Sequence, residues 1–171
     1  MEKTERFITV LAVVATLAFG AWLTVRIVKD VQFDLNCTQF LKRAANASTI
    51  DLAKEDLSKA ISYAEKKHLT EGVVSILFHQ PKNDVGYWYQ NMLQAYSELD
   101  NLSENASSLE KSNVLMRVRE ALTDQTDSGV SVTVPDGIEI YPHNVAYFWW
   151  MLISLILSVI FWMAEWMSYN W

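Results

Sequence analysis

The sequence FITVLAVVATLAFGAWLTV, residues 7–25, contains no charged side chain. As a helix, these 19 residues would extend about 28 Å, which matches the hydrocarbon thickness of a bilayer. Because Lys3 and Arg6 precede it, a cleavable signal peptide is the alternative interpretation. The segment is longer than the about 7 to 15 apolar residues of such a peptide, and no convincing cleavage site precedes Arg26. We therefore expect a short tail at residues 1–6 and a retained transmembrane helix at 7–25.

A second apolar segment, VAYFWWMLISLILSVIFWMA, occupies residues 145–164 near the other end of the chain. Its 20 uncharged residues would extend about 30 Å as a helix, so we expect a second transmembrane helix there, followed by a tail at 165–171. Glu165 lies at the end of this span, where its carboxylate is expected to reach water. Five of the seven tryptophans lie in the last 23 residues, and indoles collect at the two headgroup levels. An aromatic belt is therefore a better interpretation than a cofactor site for Trp149, Trp150, Trp162, Trp166 and Trp171.

The segment between the spans is acidic. Residues 26–144 contain 12 Lys or Arg and 17 Asp or Glu, a net charge of 12 − 17 = −5. This charge argues against nucleic acid as a partner and against a polybasic lipid-binding patch. The single cysteine, Cys37, excludes an intrachain disulfide. It lies on an apolar helix face and is expected to be a small buried side chain, with a reactive or intermolecular thiol as the alternative.

Helix-forming patterns fill residues 26–128. No glycine or proline occurs between Ala21 and Glu71, so the first span is expected to continue outward as one long helix. A second helix is expected to be capped by Ser48, three residues before Asp51, and to stop at Gly72. A later helix is expected to begin at the capping-box pair Ser107 and Glu110. Short loops between such amphipathic helices predict a small antiparallel bundle.

The sequence FHQPKNDVGYWYQNM, residues 78–92, raises the choice between a ligand-binding aromatic box and the start of a core helix. Asn83 or Asp84 can cap a helix, and apolar residues then recur at intervals of three and four. This spacing predicts that Trp88, Tyr89 and Tyr96 form a structural aromatic core. Tyr87 falls on the opposite, polar face, where it is a candidate partner contact or an ordinary exposed tyrosine.

The pattern changes at residues 129–142, GVSVTVPDGIEIYP. Apolar residues alternate before and after Pro135-Asp136-Gly137, which predicts a short β-hairpin turning there, or else an extended connector. The fold class expected for the whole chain is therefore mainly α. It comprises two transmembrane helices that flank a small antiparallel helical bundle, with a short β-hairpin or extended connector before the second span.

No residue pattern typical of a catalytic or metal site is found. The three histidines, His68, His79 and His143, are scattered along the chain. Glu65 and His68 have the Glu-x-x-His spacing of di-iron bundles, but the second copy that such sites need is missing, so His68 is expected either to face the core or to lie at the helix C-terminus. Phosphate-loop, nucleophile-elbow, zinc-protease and Cys-x-x-Cys patterns are also missing from the sequence. We expect no catalytic residue, no metal and no cofactor, and hence a protein that is not an enzyme.

Small residues recur at four-residue intervals in both spans. Such faces let transmembrane helices approach closely, with hydroxyl hydrogen bonds adding to the packing. We predict that the spans pack on each other, or on copies in a homo-oligomer; the alternative is that small residues are simply common in spans. The predicted helix-packing face comprises Ala12, Thr16, Gly20 and Thr24 in the first span and Ser154 and Ser158 in the second.

Two segments carry a resemblance to known proteins. NCTQFLKRAANASTIDLAKEDLSKAISYAEKKHLTEG, residues 36–72, and QPKNDVGYWYQNM, residues 80–92, resemble segments of uncharacterised bacterial, including cyanobacterial, membrane proteins. The resemblance covers about a third of the chain and implies a bacterial inner or thylakoid-type membrane and a recurring helical module. It implies no functional residue.

The sequence as a whole favours a non-catalytic, membrane-anchored helical interaction module, such as an accessory subunit, a scaffold or a sensor-like domain. Its expected partners are the lipid bilayer and either another protein or further copies of the chain. A metal-binding or cofactor-binding protein or hydrolase is one alternative, and an oligomeric transporter or channel component is another.

Orientation in the membrane follows from two opposing signals. Arg26, Lys29, Lys42 and Arg43 follow the first span and by their number favour a cytoplasmic middle segment. A short basic tail before a first span is, however, the usual signal-anchor pattern, and long loops are translocated largely regardless of charge. We therefore expect both termini in the cytoplasm and the central domain outside it.

Overall fold

The computed structural model describes residues 2–78, 80–103, 105–126 and 129–169. The chain is mainly α-helical, with a long apolar helix at each end and a small antiparallel β-hairpin before the last helix, so the predicted fold class is confirmed. The helices are α1 (Glu2–Phe33), α2 (Gln39–Ala45), α3 (Ile50–Lys66), α4 (Val85–Asp100), α5 (Ser108–Leu122) and α6 (Asn144–Tyr169), and the strands are β1 (Thr123–Thr126) and β2 (Gly129–Val132).

The chain divides into two compact units. One unit consists of Met1–Lys29 together with His143–Trp171, and the other of Asp30–Pro142. We refer to them as the hairpin unit and the bundle unit. In the hairpin unit, α1 and α6 are both long and apolar enough to cross a membrane. Each helix runs past its apolar segment, because polar residues at both ends of the spans continue the helical backbone.

The bundle unit begins without a break in the helical chain. A π-helical segment, Asp34–Thr38, joins α1 to α2, as expected from the lack of glycine and proline there. Within this unit α2 packs against α3, α3 against α4, α4 against α5, and α5 against α2. Side chains from all four helices form one core, whose largest fully buried members include Leu41, Leu57, Met92 and Val118.

Helix termini follow local hydrogen bonding. Ser107 and Glu110 form the predicted capping box of α5, and Asp84 caps α4 by accepting a hydrogen bond from the Tyr87 N–H. The cap of α3 is Thr49 rather than the predicted Ser48: the Thr49 hydroxyl accepts from the N–H of Leu52. A one-residue shift is possible because both residues carry a hydroxyl that can cap.

The end of α3 also differs from the prediction. The helix stops at Lys66, before Gly72, because His68 adopts a left-handed conformation with φ of 56°. The Leu69 N–H then donates to the Ala64 carbonyl at 2.8 Å, and the His68 N–H donates to the Glu65 carbonyl at 3.0 Å. This pair of bonds satisfies the last carbonyls of the helix, and Leu69 turns back into the core.

The β-hairpin shares one strand with the prediction, because β2 lies before Pro135-Asp136-Gly137 as expected, but its partner strand differs. Thr123 pairs with Val132 and Thr126 with Gly129, so β1 comes from the polar segment directly after α5. Pro135-Asp136-Gly137 does not join two strands; it leads into a 3-10 turn at Ile138–Ile140. Ile138 and Ile140 are buried in that turn, which explains why alternating apolar residues there resembled a strand.

Candidate functional site

The contact between α1 and α6 in the hairpin unit follows a seven-residue repeat. Buried or half-buried residues recur at alternating intervals of three and four along both helices, in several places beside a second half-buried residue such as Ala18 or Leu152. An average interval of 3.5 residues keeps one face of each helix directed at its neighbour when the two helices cross at a small angle. We call this contact the seam; it comprises Ile8, Ala12, Ala15, Phe19, Trp22, Arg26 and Lys29 in α1, and Asn144, Tyr147, Met151, Ser154, Ser158, Phe161 and Glu165 in α6.

Hydrogen bonds across the seam show that α1 and α6 run antiparallel. Near one end, Thr9 Oγ1 donates to Glu165 Oε1 at 2.8 Å. Further along, Thr16 Oγ1 and Ser158 Oγ are 2.9 Å apart, and Trp150 Nε1 donates to the Ala18 carbonyl at 3.1 Å. Between transmembrane helices, such side-chain hydrogen bonds are worth about 0.6 to 2 kcal/mol each.

The Thr16 hydroxyl is the centre of this network. It donates its single proton to the Ala12 carbonyl at 2.8 Å and accepts a hydrogen bond from Trp162 Nε1 at 3.0 Å. A hydroxyl has one proton and two lone pairs, so Ser158 must be the donor in the Thr16–Ser158 contact. Trp150 and Trp162 were assigned to an aromatic belt from the sequence, and their role as donors to α1 was missed. Trp149 and Trp166 are exposed, whereas Trp171 lies outside the described residues.

The predicted small-residue face matches the seam only in part. Ala12 and Ser154 are buried and the Thr16 and Ser158 hydroxyls meet, so these four residues join the two spans of one chain. Gly20 and Thr24 are exposed, and a Cβ added at Gly20 would meet nothing within 4 Å. Successive residues four positions apart in an α-helix are offset by about 40° around the helix axis. A row of small residues at four-residue intervals therefore turns away from the neighbouring helix after two intervals. Contact of Gly20 with a second copy of the chain remains a prediction.

A disulfide tests the seam directly. We expect Thr16→Cys combined with Ser158→Cys, in a Cys37→Ala background, to crosslink under mild oxidation, because the two hydroxyl oxygens are 2.9 Å apart. Gly20→Cys with Ser158→Cys is the matched control, and Val14→Cys with Leu157→Cys a second one. Non-reducing electrophoresis after proteolysis between the spans measures the yield. Equal yields in all three pairs would contradict this seam.

In the bundle unit, the predicted aromatic residues are divided between the core and the surface. Trp88 and Tyr89 are buried and Tyr96 is partly buried against the core. The Trp88 ring lies 6.4 Å from that of Phe33. Tyr87 is 66% exposed. The three adjacent rings therefore do not converge on one ligand.

Tyr89 joins two helices of the bundle. Its hydroxyl donates to Glu65 Oε1 at 2.8 Å, which links α4 to α3. Burial and this carboxylate together raise the pKa of Tyr89. The Glu65 carboxylate thus accepts from a tyrosine. His68 is exposed just past the end of α3, so it lies at the helix terminus and does not face the core. Among the residues that the structure describes, no three His, Cys, Asp or Glu side chains are grouped to hold a metal ion; His79 lies outside them.

Cys37 is fully buried in the core, and burial raises the pKa of its thiol to about 12.

The thiolate is the reactive form, so we expect Cys37 to resist thiol reagents at pH 8 in the folded protein and to react stoichiometrically in denaturant. Because the folded pKa is raised, the neutral thiol contributes to stability below the unfolded pKa, and this contribution is lost as the pH rises towards 12. Absorbance of released thionitrobenzoate measures the reaction, with Gln94→Cys in a Cys37→Ala background as the exposed control. Fast labelling of folded wild type would show a reactive thiol.

A cleft of about 660 Å³ lies at one end of the bundle, between the start of α3, the end of α4 and α5. Its polar lining includes Thr49, Lys54, Asp100 and Lys111. Lys54 forms an ion pair with Asp100, and its ammonium lies 5.7 Å from the centre of the Tyr96 ring. The cleft therefore presents a paired charge to solvent, and this pair has a structural role in joining α3 to α4.

The sequence matches no protein-family model, no curated protein and no solved structure. Its class is therefore defined by its own features: a helical protein with two apolar terminal helices that are hydrogen-bonded to each other, and a bundle of amphipathic helices.

Proposed function

We propose that this protein is a non-catalytic, membrane-anchored helical interaction module, acting as an accessory subunit, a scaffold or a sensor-like domain. The observation that carries the anchor is the apolar outer surface of the hairpin unit. Large apolar side chains are exposed on the outward faces of both helices, including Val10, Leu17, Leu23, Ile153, Ile156 and Ile160.

This exposed apolar surface is unfavourable in water and favourable in lipid. Leaving a valine, leucine or isoleucine side chain exposed to water instead of burying it costs about 1.5 to 3 kcal/mol. In a bilayer the same side chains contact hydrocarbon, while the Thr16 and Ser158 hydroxyls and the Trp162 indole are hydrogen-bonded between the two helices. The hairpin unit is thus suited to an integral membrane protein, and the resemblance of residues 36–92 to bacterial membrane proteins supports an inner or thylakoid-type membrane.

Tyr87 supports the interaction role. Its ring projects from the outer face of α4, while its neighbours Trp88 and Tyr89 occupy the core. Tyrosines are enriched at protein interfaces because a large ring is combined with a polar hydroxyl. We propose that Tyr87 contacts a protein partner or a further copy of the chain.

Photocrosslinking in native membranes tests this role. A benzophenone amino acid in place of Tyr87 is expected to give a discrete crosslinked product, whose mass identifies the partner or a dimer of the chain. The same amino acid at Gln94, exposed on the same helix, is the matched control. Products of equal yield at both positions would reject Tyr87 as a specific contact. Stoichiometric iron or zinc in the purified protein would instead favour the metal-protein alternative.

The proposed orientation has a separate test. With both termini in the cytoplasm, protease added to intact spheroplasts is expected to cleave within residues 30–142, and antibodies against the two ends should detect separate fragments. A cytoplasmic marker protein must stay intact in the same sample. Cleavage of the central domain only after lysis would reverse the orientation.

A further inference from the structure

The loop between α3 and α4 has a rigid base. Val73 and Asp84 form an isolated antiparallel bridge, and the Val74 N–H donates to the Asn83 carbonyl at 3.0 Å. The Asn83 side-chain amide donates to Ser75 Oγ at 2.8 Å, and Val74 is buried in the core. These contacts hold the two sides of the loop together, so its tip projects from a fixed position.

The tip of this loop is apolar and exposed. Ile76, Leu77 and Phe78 follow one another, and Leu77 and Phe78 are 73% and 77% exposed. Residues 73–81 contain no Asp, Glu, Lys or Arg. Single exposed apolar residues are ordinary on protein surfaces, but three in succession at a projecting tip are typical of a contact site.

The tip lies at the end of the bundle unit where the chain enters and leaves it. Phe33, just after the entry at Asp30, contacts the ring of Tyr63 in the last turns of α3, at 5.9 Å between centroids. Tyr141, just before the exit at Pro142, donates its hydroxyl to the Glu71 carbonyl at 3.0 Å. The base of the loop is thus hydrogen-bonded to Tyr141, which lies just before the second apolar segment.

Chain length limits how far this end can be from a bilayer. Tyr141 precedes the apolar segment at Val145 by four residues, which can extend at most about 14 Å. The headgroup layer adds about 5 to 8 Å on each side of the hydrocarbon. Tyr141 is hydrogen-bonded at the base of the loop, so the apolar tip is tethered to the membrane anchor through a short connection, which raises its effective concentration at lipid without a second binding partner.

We propose that Ile76, Leu77 and Phe78 insert into the interfacial layer of the bilayer and hold the bundle against the membrane surface. This inference rests on the proposed membrane anchor. An apolar loop can bury its side chains at the boundary between headgroups and acyl chains, where aromatic rings are also favoured.

Fluorescence quenching in liposomes tests the inference. Leu77→Cys and Phe78→Cys, each in a Cys37→Ala background, are labelled with an environment-sensitive dye in the full-length protein. The protein is reconstituted in phosphatidylcholine and phosphatidylglycerol vesicles containing lipids with nitroxides at shallow or deep acyl positions. Leu109→Cys is the matched control, because Leu109 is 70% exposed at the start of α5, at the opposite end of the bundle. Leu157→Cys in α6 reports on the anchor itself.

We expect shallow nitroxides to quench the labels at 77 and 78 several-fold more than the label at 109, with blue-shifted emission. Deep nitroxides should quench the label at 157. If 157 is quenched while 77 and 78 behave like 109, the tip does not enter lipid although the anchor does, and the inference is wrong. If 157 itself is not quenched, the proposed anchor fails. Blue-shifted labels at 77 and 78 without lipid quenching would mean burial against a second copy, which also overturns the inference.

Discussion

Trp88→Ala is expected to lower the free energy of unfolding of the bundle by about 3 to 5 kcal/mol. The Trp88 side chain is almost completely buried, and its ring lies beside that of Phe33 near the start of the bundle unit. Replacement by alanine removes the transfer free energy of the indole and leaves a cavity among helices that cannot fully collapse.

The adjacent Tyr87→Ala is the matched control, since it removes a ring of similar size from an exposed position on the same helix. Its cost should be within about 0.5 kcal/mol, as for most surface substitutions. Circular dichroism at 222 nm during denaturant titration in detergent measures both variants without relying on tryptophan fluorescence. Unchanged stability in Trp88→Ala, together with loss of binding to some ligand, would restore the aromatic-box interpretation.

Gly72→Ala is expected to lower the free energy of unfolding by about 1.5 to 4.5 kcal/mol. Gly72 has φ of 98°, a conformation that costs a non-glycine residue about 1 to 3 kcal/mol. A Cβ at this position would also overlap the hydroxyl of Tyr141, so the tyrosine must move and lose its hydrogen bond to the Glu71 carbonyl. A lost hydrogen bond adds about 0.5 to 1.5 kcal/mol.

Two variants separate these contributions. Gly129→Ala carries the backbone cost alone, because φ there is 119° and no atom lies within 4 Å of the added Cβ. Tyr141→Phe removes the overlapping oxygen, so the double variant Gly72→Ala with Tyr141→Phe should be less destabilised than the sum of the single variants. Thermal unfolding of the wild type, Gly72→Ala, Tyr141→Phe and the double variant gives the coupling energy between residues 72 and 141. A purely additive result would show that Gly72 and Tyr141 are not in contact.

Local patterns in the sequence predicted much of the bundle. Trp88, Tyr89 and Met92 are buried as the helical period requires, and Asp84 caps their helix. The strand Thr123–Thr126 was missed because its sequence, TDQT, contains no apolar residue and so shows no alternation of apolar and polar side chains. Its pairing with Gly129–Val132 also requires a chain reversal between the strands, which hydrophobic periodicity does not predict. The cleft at the start of α3 was also missed, because its lining comes from residues 48–54 and 99–115, which are more than forty residues apart in the sequence.

The two ends of the chain show where sequence information stops. Their length and apolarity alone determine that residues 7–25 and 145–164 form long helices suited to a bilayer, since every backbone group must be bonded within the segment. Which residues meet was decided only by tertiary structure. The hydrogen bond between Thr16 and Ser158 depends on the register of two antiparallel helices. The contact between these helices repeats every 3.5 residues on average, whereas the predicted small-residue face, which ends at Gly20 and Thr24, repeats every four residues. A difference of half a residue per turn rotates a side chain from the seam to the outer face, and only a neighbouring helix selects between the two periods.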